Sequence, residues 1–127
     1  MSRVYPTVED AIATHDFLIE EYGGSFGIRD RGALESAIFR PQSGYYNSII
    51  EEAAALMESL GGNHPFIDGN KRTAFGVCDG FLRSNGYYID CDSIAAHEKI
   101  MGMFNTNSFH FSNLCTWLGE IVRQKPT

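Results

Sequence analysis

Cysteine is scarce in this chain. It contributes three of 127 residues, and Cys78, Cys91 and Cys115 are widely separated with no C-x-x-C pair. An odd, scattered set argues against a disulfide framework or a zinc site and reads as three reduced thiols. Long apolar runs are missing too. Nothing approaches the about 18 apolar residues that a membrane span requires. The opening Met1-Ser2-Arg3-Val4-Tyr5-Pro6-Thr7 lacks the apolar block and cleavage site of a secretory signal, so a soluble, cytoplasmic protein without a membrane partner is expected. Positive charge is in deficit, with ten Lys and Arg against sixteen Asp and Glu for a formal net charge of −6. Direct nucleic-acid binding depends on clustered cations and is therefore not expected; a protein or small ligand suits the chain better. Two common chemical motifs are absent as well. Asn70 separates Gly69 from Lys71, so G-x-x-x-x-G-K-[ST] is not matched, and there is no H-E-x-x-H.

Sustained period-two alternation is also lacking, whereas apolar residues recur at helical spacing, which predicts an all-α domain of about six helices. A chain of this length fits one domain, residues 1–127, around a single core. Thr7 and Asp10 form a capping-box pattern before a helix whose face is Val8, Ile12, His15, Ile19 and Tyr22, stopped at Gly23-Gly24. Asp30 caps a short second helix carrying Leu34, Ala37 and Ile38, which ends at Arg40-Pro41. A third runs from about Ile49 to Leu60 with Ile50, Ala53, Met57 and Leu60 inward and Glu51, Glu52 and Glu58 mostly outward. A fourth, central helix begins near Asn70 and stops at Asn85-Gly86. A fifth from about Ser93 carries Ile94, His97, Met101 and Phe104, of which Ile94, Met101 and Phe104 read as core packing, and a sixth starts near Ser112. His15, on an apolar face, reads as a structural histidine. His97 and His110 have no metal-like partners at helical spacing. Tyr45-Tyr46, on a loop containing Gly44, stands open between packing and docking a substrate.

What is present is concentrated in His64-Pro65-Phe66-Ile67-Asp68-Gly69-Asn70-Lys71-Arg72-Thr73, which follows another Gly-Gly-Asn turn. A helix starting near Asn70 presents unpaired N–H groups and the positive end of its dipole to the preceding loop, making an anion site. Lys71 and Arg72 add two charges there, and an Arg fork beside a mobile Lys suits polyphosphate. Gly69 lets backbone approach a ligand closely. Asp68 is a hard oxygen ligand for Mg²⁺, which prefers one or two carboxylates plus substrate phosphates. His64 is the natural general base, because a neutral imidazole can take the proton of an attacking hydroxyl. Pro65-Phe66 should stiffen the loop, with Phe66 sunk into the core. Positioning and charge stabilisation of this kind are what phosphoryl transfer needs.

That run resembles the signature of the Fic/Doc superfamily, and its Asn70-Lys71-Arg72 form resembles the Doc branch, the toxins of toxin–antitoxin modules. The similarity continues through Tyr22-Gly23-Gly24, Gly27-Ile28-Arg29-Asp30, Gly32, Leu34-Glu35, Arg40-Pro41-Gln42 and Phe81-Leu82-Arg83-Ser84-Asn85-Gly86. The resemblance implies an α-helical Fic fold with the motif loop leading into the central helix, ATP as co-substrate and Mg²⁺ as cofactor. His64 would be the base, Asp68 the metal ligand, Asn70 an anion-hole contributor, and Lys71 and Arg72 the phosphate binders. Lysine at position 71 implies a Doc-like kinase that passes the γ-phosphate to a threonine of a translation factor such as elongation factor Tu. Glycine at position 69 is the residue usual in Fic AMP-transferases, so protein AMPylation is the alternative, and a catalytically silent helical interaction module is the third. The inhibitory pattern [S/T]-x-x-x-E-[G/N] is not completed, since Ala53 follows Ser48 to Glu52 and Ile121 follows Thr116 to Glu120. Restraint is therefore expected from outside, through a Phd-like antitoxin whose C-terminal segment folds into a groove on the domain.

Overall fold

A computed structural model describes residues 2–126, and its first helix begins where local chemistry requires. The Thr7 hydroxyl accepts from the Asp10 N–H while the Asp10 carboxylate accepts from the Thr7 N–H, and this reciprocal cap starts α1 (Val8–Tyr22). Gly23, at φ 86, ends it. Asp30 caps α2 (Arg31–Phe39), which tightens into a 3-10 turn at Arg40–Gln42. Ser48 caps α3 (Ile49–Gly62), and after the motif loop comes α4 (Asn70–Ser84). The chain continues through β1 (Tyr87–Ile89), α5 (Ser93–Asn105), α6 (Phe111–Ile121) and β2 (Val122–Gln124). The fold is all-α, with these six α-helices among the described residues.

The core forms around α3, which lies against α4, α6 and α2. Ala53, Ala54 and Ala55 let its neighbours approach closely, and Leu56, Met57 and Leu60 fill the space between them. The central helix α4 buries Ala74, Val77, Cys78, Phe81 and Leu82, and α1 closes over its other side. That closure needs Gly76, where a Cβ would come within 3.1 Å of Thr14 and 3.3 Å of Leu18. The three cysteines are free thiols; burial pushes the Cys78 thiol far up, and its Sγ rests 3.7 Å from the Ala53 carbonyl. No helix among the described residues is long and apolar enough to cross a membrane.

Three features depart from the sequence expectation. β1 and β2 pair antiparallel, Tyr87 opposite Gln124 and Ile89 opposite Val122. Three residues per strand are too few for a period of two to register. Glu52 faces inward rather than out, only 5% exposed. It accepts from Arg3 and from the Tyr5 hydroxyl, so it anchors the N-terminal segment, and that hydrogen bond raises the Tyr5 phenol above its ordinary pKa. In α5 the buried residues are Ala96, Ile100 and Met103, whereas Ile94 is 71% exposed and His97 faces solvent.

Candidate active site

The loop from His64 to Gly69 joins α3 to α4 and is sewn along one edge to residues 24–30. Ile28 and Phe66 form an antiparallel bridge. The Ile67 N–H donates to Gly27 O at 3.1 Å, and the N–H groups of Arg29 and Asp30 both donate to Pro65 O, at 2.8 and 3.0 Å. The Arg29 side chain adds two bonds, from Nε to His64 O at 2.6 Å and from Nη2 to Asn63 O at 2.8 Å. These hold His64 at φ 50, a left-handed conformation uncommon for a residue with a Cβ and characteristic of sites where geometry serves function. Its imidazole is exposed. Phe66 is sunk in the core as the sequence predicts. Asn70, the first residue of α4, brackets it: Asn70 Oδ1 accepts from the Phe66 N–H and Nδ2 donates to Phe66 O, both at 2.9 Å. The expected anion-hole amide is thus also the clasp that shapes the loop.

Asp68 does not cap the central helix with its side chain; the cap residue is Gly69, at φ 75. The exposed Asp68 carboxylate accepts instead from the Gly69 N–H through Oδ1 at 2.9 Å and from the Ser25 N–H through Oδ2 at 3.1 Å. Two N–H donors orient it while leaving lone pairs free for a cation. On the helical side, His15 is 1% exposed, with Nε2 2.8 Å from Asp68 O, Nδ1 3.2 Å from Asp16 Oδ1, and its ring stacked on Phe66 at 4.0 Å. Gly24, at φ 117, passes so close that a Cβ there would sit 2.8 Å from Asp68 Oδ2 and 2.9 Å from Ile19 Cδ1. Gly24→Ala is therefore expected to destabilise the protein by about 1–3 kcal/mol, through a backbone conformation that only glycine adopts freely and through the clash. Urea unfolding at constant m-value would register it, and unchanged stability would mean that residues 24–25 yield easily.

The two cations each lie on an aromatic ring from another helix. Lys71 Nζ is 4.5 Å from the centroid of Phe104 on α5, and the Arg72 guanidinium carbon is 4.2 Å from the centroid of Tyr22 at the end of α1. Such contacts are worth about 0.5–1 kcal/mol at exposed sites and, more usefully here, hold long side chains in one orientation. Both cations border a groove of about 330 Å³ between α1, α4 and α5, whose walls include Leu18, Phe75 and Ile94. A second cavity, about 320 Å³, opens beside Asn63 and Phe104 and is lined by Arg40, Glu58 and His110. Among the described residues no three His, Cys, Asp or Glu side chains cluster as a metal cage. One exposed carboxylate beside two cations is a donor set that would fit Mg²⁺ shared with a polyphosphate.

Most of the predicted set comes together at the start of α4: His64, Asp68, Gly69, Asn70, Lys71 and Arg72 share one loop and the first helical turn. The tyrosine pair divides. The Tyr46 hydroxyl accepts from Arg40 Nε at 2.7 Å and its ring packs on Phe111, while Tyr45 stands 82% exposed. Arg40 also bonds Glu58 at 2.8 Å and Ser59 at 2.9 Å, making Tyr46 part of a packed network. The reading of the motif alone assigned no role to Arg29, Ser25, Tyr22 or Phe104. For Arg29 the sequence signal was membership of the Gly27-Ile28-Arg29-Asp30 run, and for Tyr22 its place on the face of the first helix and in the Tyr22-Gly23-Gly24 run.

A histidine-bearing loop feeding an Asn-Lys-Arg helix start at the centre of a small helical frame defines a Fic-type protein. The Fic/DOC family model matches residues 5–82, and the chain belongs to that family. Within it, the chain is 41% identical over 112 residues to Toxin Doc of Mycolicibacterium smegmatis, an alignment covering 84% of this chain and 86% of that one. It is 36% identical over 85 residues to Protein kinase doc of Escherichia phage P1, covering 64% of this chain and 68% of the phage protein.

Proposed function

We propose that the protein is a Doc-like toxin that transfers the γ-phosphate of ATP to a hydroxyl, a threonine of a translation factor such as elongation factor Tu, and thereby arrests growth in the cytoplasm. The observation that carries the reading is the pair of ring-backed cations, Lys71 over Phe104 and Arg72 over Tyr22, at the free N–H groups that open α4. Two oriented charges and a helix N-terminus suit the charge spread over a transferring phosphoryl group, for which positioning and electrostatics are most of the catalysis. His64, presented by a fixed backbone, takes the hydroxyl proton as that oxygen bonds to phosphorus and the bond to the leaving diphosphate breaks. Asp68 would hold Mg²⁺, which would supply neutralisation of the phosphate charge. Asn70 and Gly69 keep the backbone donors in line. The phage relative, named a protein kinase, supports this reading.

The groove between α1, α4 and α5 suits a Phd-like antitoxin, whose amphipathic helix would lay its apolar side on Leu18, Phe75 and Ile94 and cover Arg72. Exposed Tyr45 is the better half of the tyrosine pair for docking the protein substrate. Glycine at position 69, the residue usual in the Fic AMP-transferases that the motif resembles, keeps AMP transfer as the second reading.

The two readings separate when the purified protein is incubated with Mg²⁺, bacterial extract and ATP labelled at either the α or the γ phosphate. Label carried to protein from the γ position alone is expected. Label from the α position would replace the kinase by an AMP-transferase, and none from either would reduce the protein to a binding module for this extract.

A further inference from the structure

Among the described residues, His15 is the one buried titratable side chain that touches the motif loop and has no part in the proposed chemistry. It comes from the middle of α1, 53 residues before its partner. Asp68 O is a carbonyl and only accepts, so His15 Nε2 carries the hydrogen of the 2.8 Å bond. The ring lies flat on Phe66 at 4.0 Å with 5° between planes, and thus grips the loop at both Phe66 and Asp68. The same wall bounds Gly69: a Cβ there would meet Ile19 Cδ1 at 3.1 Å and the His15 ring at 3.8 Å. The peptide linking Asp68 to Gly69 is thereby held on its carbonyl side by His15 and on its N–H side by Asp68 Oδ1, and it sits between the Asp68 carboxylate and the opening N–H groups of α4.

We infer that His15 is a positioning residue for the metal–phosphate site, acting through the Asp68 carbonyl; the inference rests on the reading of Asp68 given above. A partner that orients a metal ligand from behind typically contributes about 10- to 100-fold in affinity or activity. His15→Leu fills the space but removes the donor, whereas His15→Gln returns an N–H at similar reach. Binding of Mn²⁺ in the presence of a non-hydrolysable ATP analogue, followed by the electron spin resonance of free Mn²⁺, reads the site without turnover.

Unmodified protein and His15→Gln are expected to bind alike, and His15→Leu about 10- to 100-fold more weakly while melting cooperatively. Equal binding by all three would overturn the inference alone, and so would equal weakening of both folded variants, which would leave His15 a packing residue. Absence of Mn²⁺-dependent binding in the unmodified protein would overturn the site reading itself and this inference with it. The unmodified protein supplies a second measurement that needs no variant. Its His15 Nε2–H resonance is expected to be protected from solvent exchange and to shift when metal and analogue are added, and a resonance that does not respond overturns the coupling.

Discussion

His64→Ala is expected to lower the transfer rate by about 10² to 10⁴, the usual worth of a general base, and to relieve growth arrest on induction. The size follows from where the imidazole stands. It is exposed, it packs nothing into the core, and the backbone beneath it is held by Arg29 through the carbonyls of residues 63 and 64. Truncation therefore removes chemistry without removing support, and the melting temperature should stay close to that of the unmodified protein. His64→Gly sharpens the test, because φ 50 costs a residue with a Cβ about 1–2 kcal/mol that glycine does not incur. The glycine variant should be as inactive as the alanine variant and more resistant to unfolding. Full toxicity of either at equal expression would move the base elsewhere.

Lys71→Gly is expected to change which group crosses to the target. In this protein Lys71 is a half-buried side chain with its ammonium on the Phe104 ring, so it occupies defined space at the start of α4. Removing stem and charge opens room beside the phosphates and deletes the partner of the transferred group. Transfer of γ-phosphate should fall below detection, and weak AMP transfer should appear in its place. Intact mass of a modified target separates the products, since a phosphoryl group adds about 80 Da and an adenylyl group about 329 Da in reactions at the same phosphate chain. Were Lys71 only a contributor to the local positive field, the variant would need more nucleotide and still add a phosphate. An adenylyl adduct from the unmodified protein would instead promote the AMP-transferase.

Legibility of the fold in the sequence followed the range of the interactions involved. Thr7 with Asp10, Asp30, Gly23 and the stop at Asn85-Gly86 act within a turn or two, and each falls where the spacing puts it. The face of α5 was misread because Ile94, Ala95, Ala96, Ile100, Met101, Met103 and Phe104 encircle much of the helix. Packing against the rest of the chain, not periodicity, decides which of them is covered. The charge on Glu52 pointed outward by the same reasoning, and only the arrival of Arg3 and Tyr5 from the N-terminal segment, 49 and 47 residues earlier, makes its burial tolerable. At the site, the contiguous run from His64 to Arg72 carried its own signal. The residues that aim it did not: Arg29 reaches His64 across 35 positions and His15 reaches Asp68 across 53. Nothing in a spacing rule anticipates such pairs.

The small sheet and the N-terminal anchor have a practical corollary. Val4 exchanges two 2.8 Å hydrogen bonds with Asn85, and the Lys125 N–H donates to Gly86 O at 2.9 Å. Residues near both ends of the described chain thus meet at the C-terminal tip of α4. That tip lies 15 residues from the helix start, or about 22 Å at 1.5 Å per residue. A fluorophore or tether placed at Val4 or Lys125 would therefore sit on the side opposite the loop bearing His64.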